Sequence, residues 1–327
     1  MKGREQLVIC FDGLVVDVAR LWRESHAGEG ARELSSIGVP PEPPPHSMCE
    51  YLRGGKAAYD TMRRYHDVVT GVWQRRQRTA LSGIVFREDE VAWLCPNPRP
   101  PMLFHIGENY PRYYREQPLG TAIPAVPAYD VVPTHITAGH RARLIIPDQP
   151  DAYGGHGEIG CIVGRGGQNI AISEARDHIA GFLCVLDFHS GAEGFTDLDP
   201  TKLNRAQALT YAQLIRMRTA SQPMGPYLTT IDEVGDPYDC MIHMKVNDEI
   251  VARYWSNVII HGFERTISHL SHFMTLLPGT IIQLGMMSSY SIRFSRDDAV
   301  SPDLVFSVDI ERVGNLKANI VREGGPR

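Results

Sequence analysis

The stretch HGEIGCIVGRGGQNIAISEARDHIAGFLCVLDF, residues 156–188, carries most of the fold information in this chain. Ile159 to Val163 and Phe182 to Leu186 are short apolar runs and read as buried strands. Between them, Gly164-Arg165-Gly166-Gly167 leads into the polar pair Gln168-Asn169. That is turn chemistry, and positive φ would explain the glycines. Ser173 to Ala180 has the character of a short helical stretch. Side chains at i and i+2 of a strand share a face, so His156 and Glu158 project together. Asp187 stands at the end of the second run.

Working outward, Leu103 to Ile106, Met241 to Val246, Ile281 to Leu284 and Leu304 to Ile310 read as further strands. Leu203 to Met217 is predicted helical, as is Phe263 to Leu277, where Pro278-Gly279 supplies the stop. Towards the N-terminus, Gln6 to Val18 alternates around the turn Asp12-Gly13, and Val15 to Leu21 runs on into a short helix. Tyr59 to Val72 places Met62, Tyr65, Val69 and Val72 on one helical face. Gly83 to Leu94 looks like a hairpin. The proline clusters PPEPPP (40–45) and CPNPRPP (95–101) can continue neither a helix nor a paired strand. The second cluster marks the expected domain boundary, giving a small domain at 1–98 and a larger one at 99–327.

The composition agrees with a turn-rich, strand-rich chain: 327 residues include 30 glycines and 23 prolines, which disfavours a helical bundle. A net charge of −5 argues against broad electrostatic binding to nucleic acid or anionic lipid. No run approaches the ~20 apolar residues of a membrane span. The six cysteines are scattered, without a CxxC pair, so reduced thiols and a cytoplasmic location are expected.

The 156–188 segment resembles the fumarylacetoacetate hydrolase family, in which a carboxylate-bearing strand, a turn and a short helix precede a strand ending in aspartate. Further segments resemble that family in serial order: IGENYPRYYRE from Ile106, PMGPYLTTIDEV from Pro223, MKVNDEIVARY from Met244, HLSHFMTLLPGTIIQLG from His269 and RVGNLKANIV near the end. The resemblance covers roughly residues 80 to 322. It implies an α+β fold with a mixed β-roll or barrel core behind a small N-terminal α+β domain, usually in a homodimer. It also implies a carboxylate-held divalent ion, commonly magnesium or manganese, and enolate chemistry on a 2-oxo or β-diketo acid.

Residue by residue, the resemblance assigns Glu158 and Asp187 to the metal, with His156 where the family has a first glutamate. An imidazole in that set makes iron or zinc eligible beside magnesium and manganese. Tyr113 stands where the family's NYxxH segment has its proton-transfer histidine. Arg216, or Arg218 in the neighbouring register, stands for a lysine and would grip a carboxylate. Gly285-Met286-Met287 replaces a substrate-contacting G-T-P turn, so Met286 and Met287 are substrate-contacting candidates together with Tyr129. A phenol with an unperturbed pKa near ~10 is a poor base for water but a fair proton donor. Isomerisation, decarboxylation, dehydration or cyclisation is therefore expected ahead of classical C–C hydrolysis. The alternatives are an ordinary acylpyruvate hydrolase with His189 as base, and a catalytically silent dimeric scaffold or binding protein.

Overall fold

The computed structural model describes residues 5–26, 34, 36–75, 81–111, 123–146, 152–189, 202–204, 207, 210, 222–285, 292–295 and 304–322. The chain divides into two compact units, Met1–Ala92 and Trp93–Arg327.

In the first unit, strands β1 (Ile9–Phe11), β2 (Leu14–Val16) and β3 (Val85–Arg87) form an antiparallel sheet. Asp12 and Gly13 both take positive φ, the backbone a two-residue hairpin turn requires. Helices α1 (Val18–His26) and α2 (Met48–Gln74) pack on this sheet. Ser47 caps α2 by accepting the Glu50 N–H at 3.2 Å. Tyr65, Val69 and Val72 lie in the core with Met62 packed against them, the stripe expected from helical spacing. The hairpin expected over Gly83 to Leu94 is corrected: only Val85–Arg87 is a strand, and its partner is β2. The acidic run Glu88-Asp89-Glu90 instead forms a single 3-10 turn. There the Arg87 guanidinium donates to Asp89 and the Arg87 N–H to Glu90.

The second unit contains β4 (Leu103–Gly107), β5 (Ala128–Val131), β6 (Thr137–Ala138), β7 (Ala142–Ile146), β8 (Ala152–Val163), β9 (Ile179–His189) and β10 (Gln222–Thr230). It continues with the single-turn helix α3 (Ile231–Val234), β11 (Met241–Val246), β12 (Glu249–Trp255) and helix α4 (Phe263–Phe273). Strands β13 (Ile281–Gln283), β14 (Ile292–Ser295), β15 (Val305–Ile310) and β16 (Gly314–Arg322) complete it. One sheet runs β5-β4-β13-β8-β9-β10-β6, with β14 also paired to β8. The other runs β12-β11-β15-β16-β7. Parallel pairs β4–β13, β6–β10 and β7–β16 sit among antiparallel ones, which makes this the mixed β-roll of an α+β protein.

Strand β8 fixes which side of the larger sheet is which. A Cβ on Gly155 would lie 2.4 Å from the Phe306 ring, and one on Gly157 would lie 2.5 Å from Val308. Glycine there lets β15 approach closely, and Ile159 and Cys161 continue that face into the main core. Alternation then turns His156 and Glu158 to the opposite face.

Three local expectations are corrected. Gly164, Gly166 and Gly167 do not take positive φ; Asn169 does. They are glycines because a Cβ would meet Ala180 at 2.9 Å, the Leu276 carbonyl at 2.6 Å and the His178 ring at 3.1 Å. The helical stretch at Ser173 to Ala180 shrinks to a 3-10 turn over Ala175–His178, because Ile179 already pairs with Val163 in the sheet. Helix α4 stops at Phe273 rather than Leu277, since Leu276 exchanges two 2.9 Å backbone hydrogen bonds with Gly167. The expected helix from Leu203 to Met217 lies largely outside the described residues. Among the described residues, no helix is long and apolar enough to cross a membrane. All six cysteines are free thiols.

His140 gives the second unit a defined pH response. It is buried, its ring edge-on to Trp93, and its Nδ1 accepts the Lys317 N–H at 3.2 Å. Only an unprotonated Nδ1 can do so. Burial, reinforced by Arg141 and Lys317, pushes its pKa down to about 4. The unfolded chain, with a histidine pKa near ~6.5, therefore binds the proton first as pH falls. The stability contributed by neutral His140 is full above pH ~6.5 and is lost on acidification toward pH ~4. His140→Gln should flatten the denaturation midpoint across this window; an unchanged slope would assign the loss to other groups.

Candidate metal centre

The polar face of the larger sheet is built by register. Asp130 on β5 pairs with His105 on β4, His105 with Gln283 on β13, and Gln283 with Gly160 on β8. Glu158 lies two residues before Gly160 on the same face. Asp187 on β9 pairs with His156, so its side chain joins this face too. Further along the same strands the face is apolar, with Leu103, Ile281, Ile162, Leu183 and Val185 all fully buried. The polar side chains are thus gathered at one end of a dry sheet face.

Among the described residues, His105, Glu158 and Asp187 bring a ligand atom each within 4.8 Å of one another. His105 Nε2 lies 3.5 Å from Glu158 Oε1 and 3.8 Å from Asp187 Oδ2. Gln222 donates from Nε2 to Asp187 Oδ1, which fixes the carboxylate with its other oxygen toward His105. Glu158 and Asp187 are each only 1% exposed. Removing a carboxylate from water costs several kcal/mol unless it is compensated. One imidazolium offsets one such charge; a divalent cation offsets both. The residues present therefore fit a divalent ion, through two carboxylate oxygens and one imidazole nitrogen, a donor set that admits manganese, iron or zinc beside magnesium.

The sequence expectation named His156 as the imidazole ligand. The structure brings Glu158 and Asp187 together as expected, but the histidine that converges on them is His105. His156 is buried on the same face, outside the converging group. The signal for His105 was present: Phe104 and Ile106 are core residues, so period-2 alternation turns His105 to the other face.

Tyr129, expected near substrate, pairs in register with Ile106 and not with His105. Its ring stands edge-on to Phe104 at 5.8 Å and to His269 at 6.3 Å, away from the converging group. His189 closes β9. Tyr113, Arg216, Arg218, Met286 and Met287 lie outside the described residues.

The sequence profile of the fumarylacetoacetate (FAA) hydrolase C-terminal domain matches residues 102–321. The chain is 26% identical over 291 residues to the mitochondrial oxaloacetate tautomerase FAHD2B of Bos taurus, covering 86% of this chain and 81% of that one. It is 27% identical over 241 residues to the human mitochondrial oxaloacetate tautomerase FAHD2A, covering 74% and 69%. Among solved structures, a Sphingobium sp. SYK-6 maleylpyruvate hydrolase in complex with manganese(II) and pyruvate aligns with a TM-score of 0.63 at 18% identity, over 97% of this chain and 96% of that one. A 5-carboxymethyl-2-hydroxymuconate delta-isomerase from Mycobacterium smegmatis aligns with a TM-score of 0.59 at 23% identity, over 74% and 86%. These relatives are enzymes, and the two structural likenesses agree with the mixed β-roll described above. With a profile match spanning both sheets and the converging acidic residues, the chain belongs to the fumarylacetoacetate hydrolase family of enzymes.

Proposed function

We propose that this protein is a divalent-metal-dependent enzyme that moves a proton between carbon and oxygen of a 2-oxo acid, as an isomerase or tautomerase. The observation that carries this reading is the convergence of His105, Glu158 and Asp187 in a buried site. The tautomerase relatives and the manganese–pyruvate complex of the maleylpyruvate hydrolase support the substrate class. A bound divalent ion would supply a Lewis acid that polarises the 2-oxo group and favours the enolate.

This chain's residues divide the remaining work. His105, Glu158 and Asp187 would hold the ion, and Gln222 would keep Asp187 oriented. The buried apolar side chains of Leu103, Val185 and Ile281, on the same sheet face beside the site, would keep water from that side. Tyr113 would donate a proton to the substrate carbon, and Arg216 or Arg218 would grip a substrate carboxylate bidentately. Met286 and Met287 would line the substrate pocket with adaptable apolar side chains, so that turnover of a bulkier, more apolar 2-oxo acid beside oxaloacetate would measure how far they set its size. The homodimer implied by the family resemblance, and the cytoplasmic location expected from free thiols, belong to this proposal as well.

The test follows the enol absorbance of a 2-oxo acid such as oxaloacetate, with manganese(II) or with chelator. Decay should accelerate with the metal-loaded protein and return to the uncatalysed rate in chelator. Tyr113→Phe should lower the catalysed rate by about 10²–10⁴-fold, the usual contribution of a positioned proton donor. An unchanged Tyr113→Phe rate would remove Tyr113 from the reaction. Acylpyruvate cleavage at an ordinary enzymatic ~1–10³ s⁻¹ would instead establish a C–C hydrolase using another base, with His189 the first candidate.

A further inference from the structure

We infer that Asp130 is the positioning residue of this centre: it holds His105 with Nδ1–H toward its own carboxylate, so that Nε2 presents a lone pair between Glu158 and Asp187. The inference rests on the metal reading above and adds to it a residue that is not itself a ligand.

The argument begins with the ring. Imidazole has two nitrogens, and only a nitrogen without a proton can bind a cation; which one that is depends on the partner of the other. Here the two nitrogens face different carboxylates. Nε2 looks toward Glu158 and Asp187 at 3.5 and 3.8 Å, while Nδ1 faces Asp130 Oδ2 at 3.8 Å, an ion-pair distance that a small side-chain rotation shortens to a hydrogen bond once Nδ1 carries the proton. The division is imposed by the sheet. Asp130 is the direct antiparallel neighbour of His105 across β4 and β5, a pairing that holds Cβ atoms about 4.5–5.5 Å apart.

Burial separates the roles of the three carboxylates. The side chains of Glu158 and Asp187 are 0% and 1% exposed, whereas that of Asp130 is 39% exposed on the edge strand β5. A half-solvated carboxylate keeps its charge at little cost and needs no cation of its own. Asp130 is also outside the group whose ligand atoms converge within 4.8 Å. It is therefore placed to orient the ligand histidine, and outer partners of this kind typically contribute 10–100-fold to metal affinity.

The test uses manganese(II) as probe on the full chain, with titration calorimetry for affinity and pulsed electron paramagnetic resonance for nitrogen coupling to the ion. Wild type should show ¹⁴N coupling that disappears in His105→Gln and survives in His156→Gln. Asp130→Ala should bind manganese(II) about 10–100-fold more weakly with altered ¹⁴N coupling, while the metal-free protein melts as wild type does. Asp130→Glu should recover part of the affinity. Wild-type affinity and coupling in Asp130→Ala would overturn the inference, as would weaker binding accompanied by an equal loss of metal-free stability. Coupling that persists in His105→Gln and vanishes in His156→Gln would overturn it too, while leaving the metal reading intact. Failure of wild type to bind manganese(II) at all would overturn the metal reading itself.

Discussion

Glu158→Gln and Asp187→Asn should each remove stoichiometric metal and nearly all turnover, yet leave the metal-free protein at least as stable as wild type. Each change keeps the shape of the side chain and removes one charge. Affinity for manganese(II) should fall by more than about 100-fold, beyond the range seen for outer-shell changes. If polarisation of the 2-oxo group supplies several kcal/mol, turnover should fall by about 10³-fold or more. The stability expectation has the opposite sign. Without an ion, two buried carboxylates share one imidazole, so removing either charge leaves a balanced pair. Elemental analysis and melting curves with and without metal read both effects. Destabilisation of the metal-free protein by several kcal/mol would mean that these carboxylates hold the sheet together instead of an ion.

The second large effect is expected at Gly285, where β13 passes into the following segment. A Cβ there would lie 2.1 Å from the Ile106 carbonyl oxygen and 2.6 Å from His105 Nε2. The carbonyl belongs to β4 and cannot swing aside, so Gly285→Ala must displace backbone, the His105 ring or both. Overpacking of this kind costs about 1–3 kcal/mol, which for a unit of this size lowers the melting temperature by roughly 2–12 °C. Because the ring is one of the things displaced, manganese(II) affinity should fall as well. Gly107→Ala is the control. A Cβ there meets nothing within 4 Å, and Gly107 is not among the positive-φ glycines. It should leave melting and affinity close to wild type. Equal behaviour of the two variants would show that the chain after β13 yields freely and does not press on His105.

What the sequence by itself determined was local or periodic. Period-2 alternation placed Glu158 on one face of its strand, and Asp187 was read at the end of the next, which in fact runs two residues further to His189. Helical spacing found Tyr65, Val69 and Val72, while the β-roll was expected from the resemblance of serially ordered segments to the fumarylacetoacetate hydrolase family. The periodic readings need only neighbours a few residues apart, where the chain's own geometry dictates direction. The tertiary structure brought a second histidine to the carboxylates. His156 lies across from Asp187 by local register, whereas His105 reaches the carboxylates because β13, which arrives late in the chain, sits between β4 and β8 and pairs parallel to one and antiparallel to the other. That register comes from pairing between distant segments, and no local period encodes it. The glycines after Val163 follow the same logic. The sequence identified a turn, but the need for glycine came from Ala180, Leu276 and His178 pressing on it across the fold. Alternation can say which way a side chain points; only packing of distant strands says what it meets there.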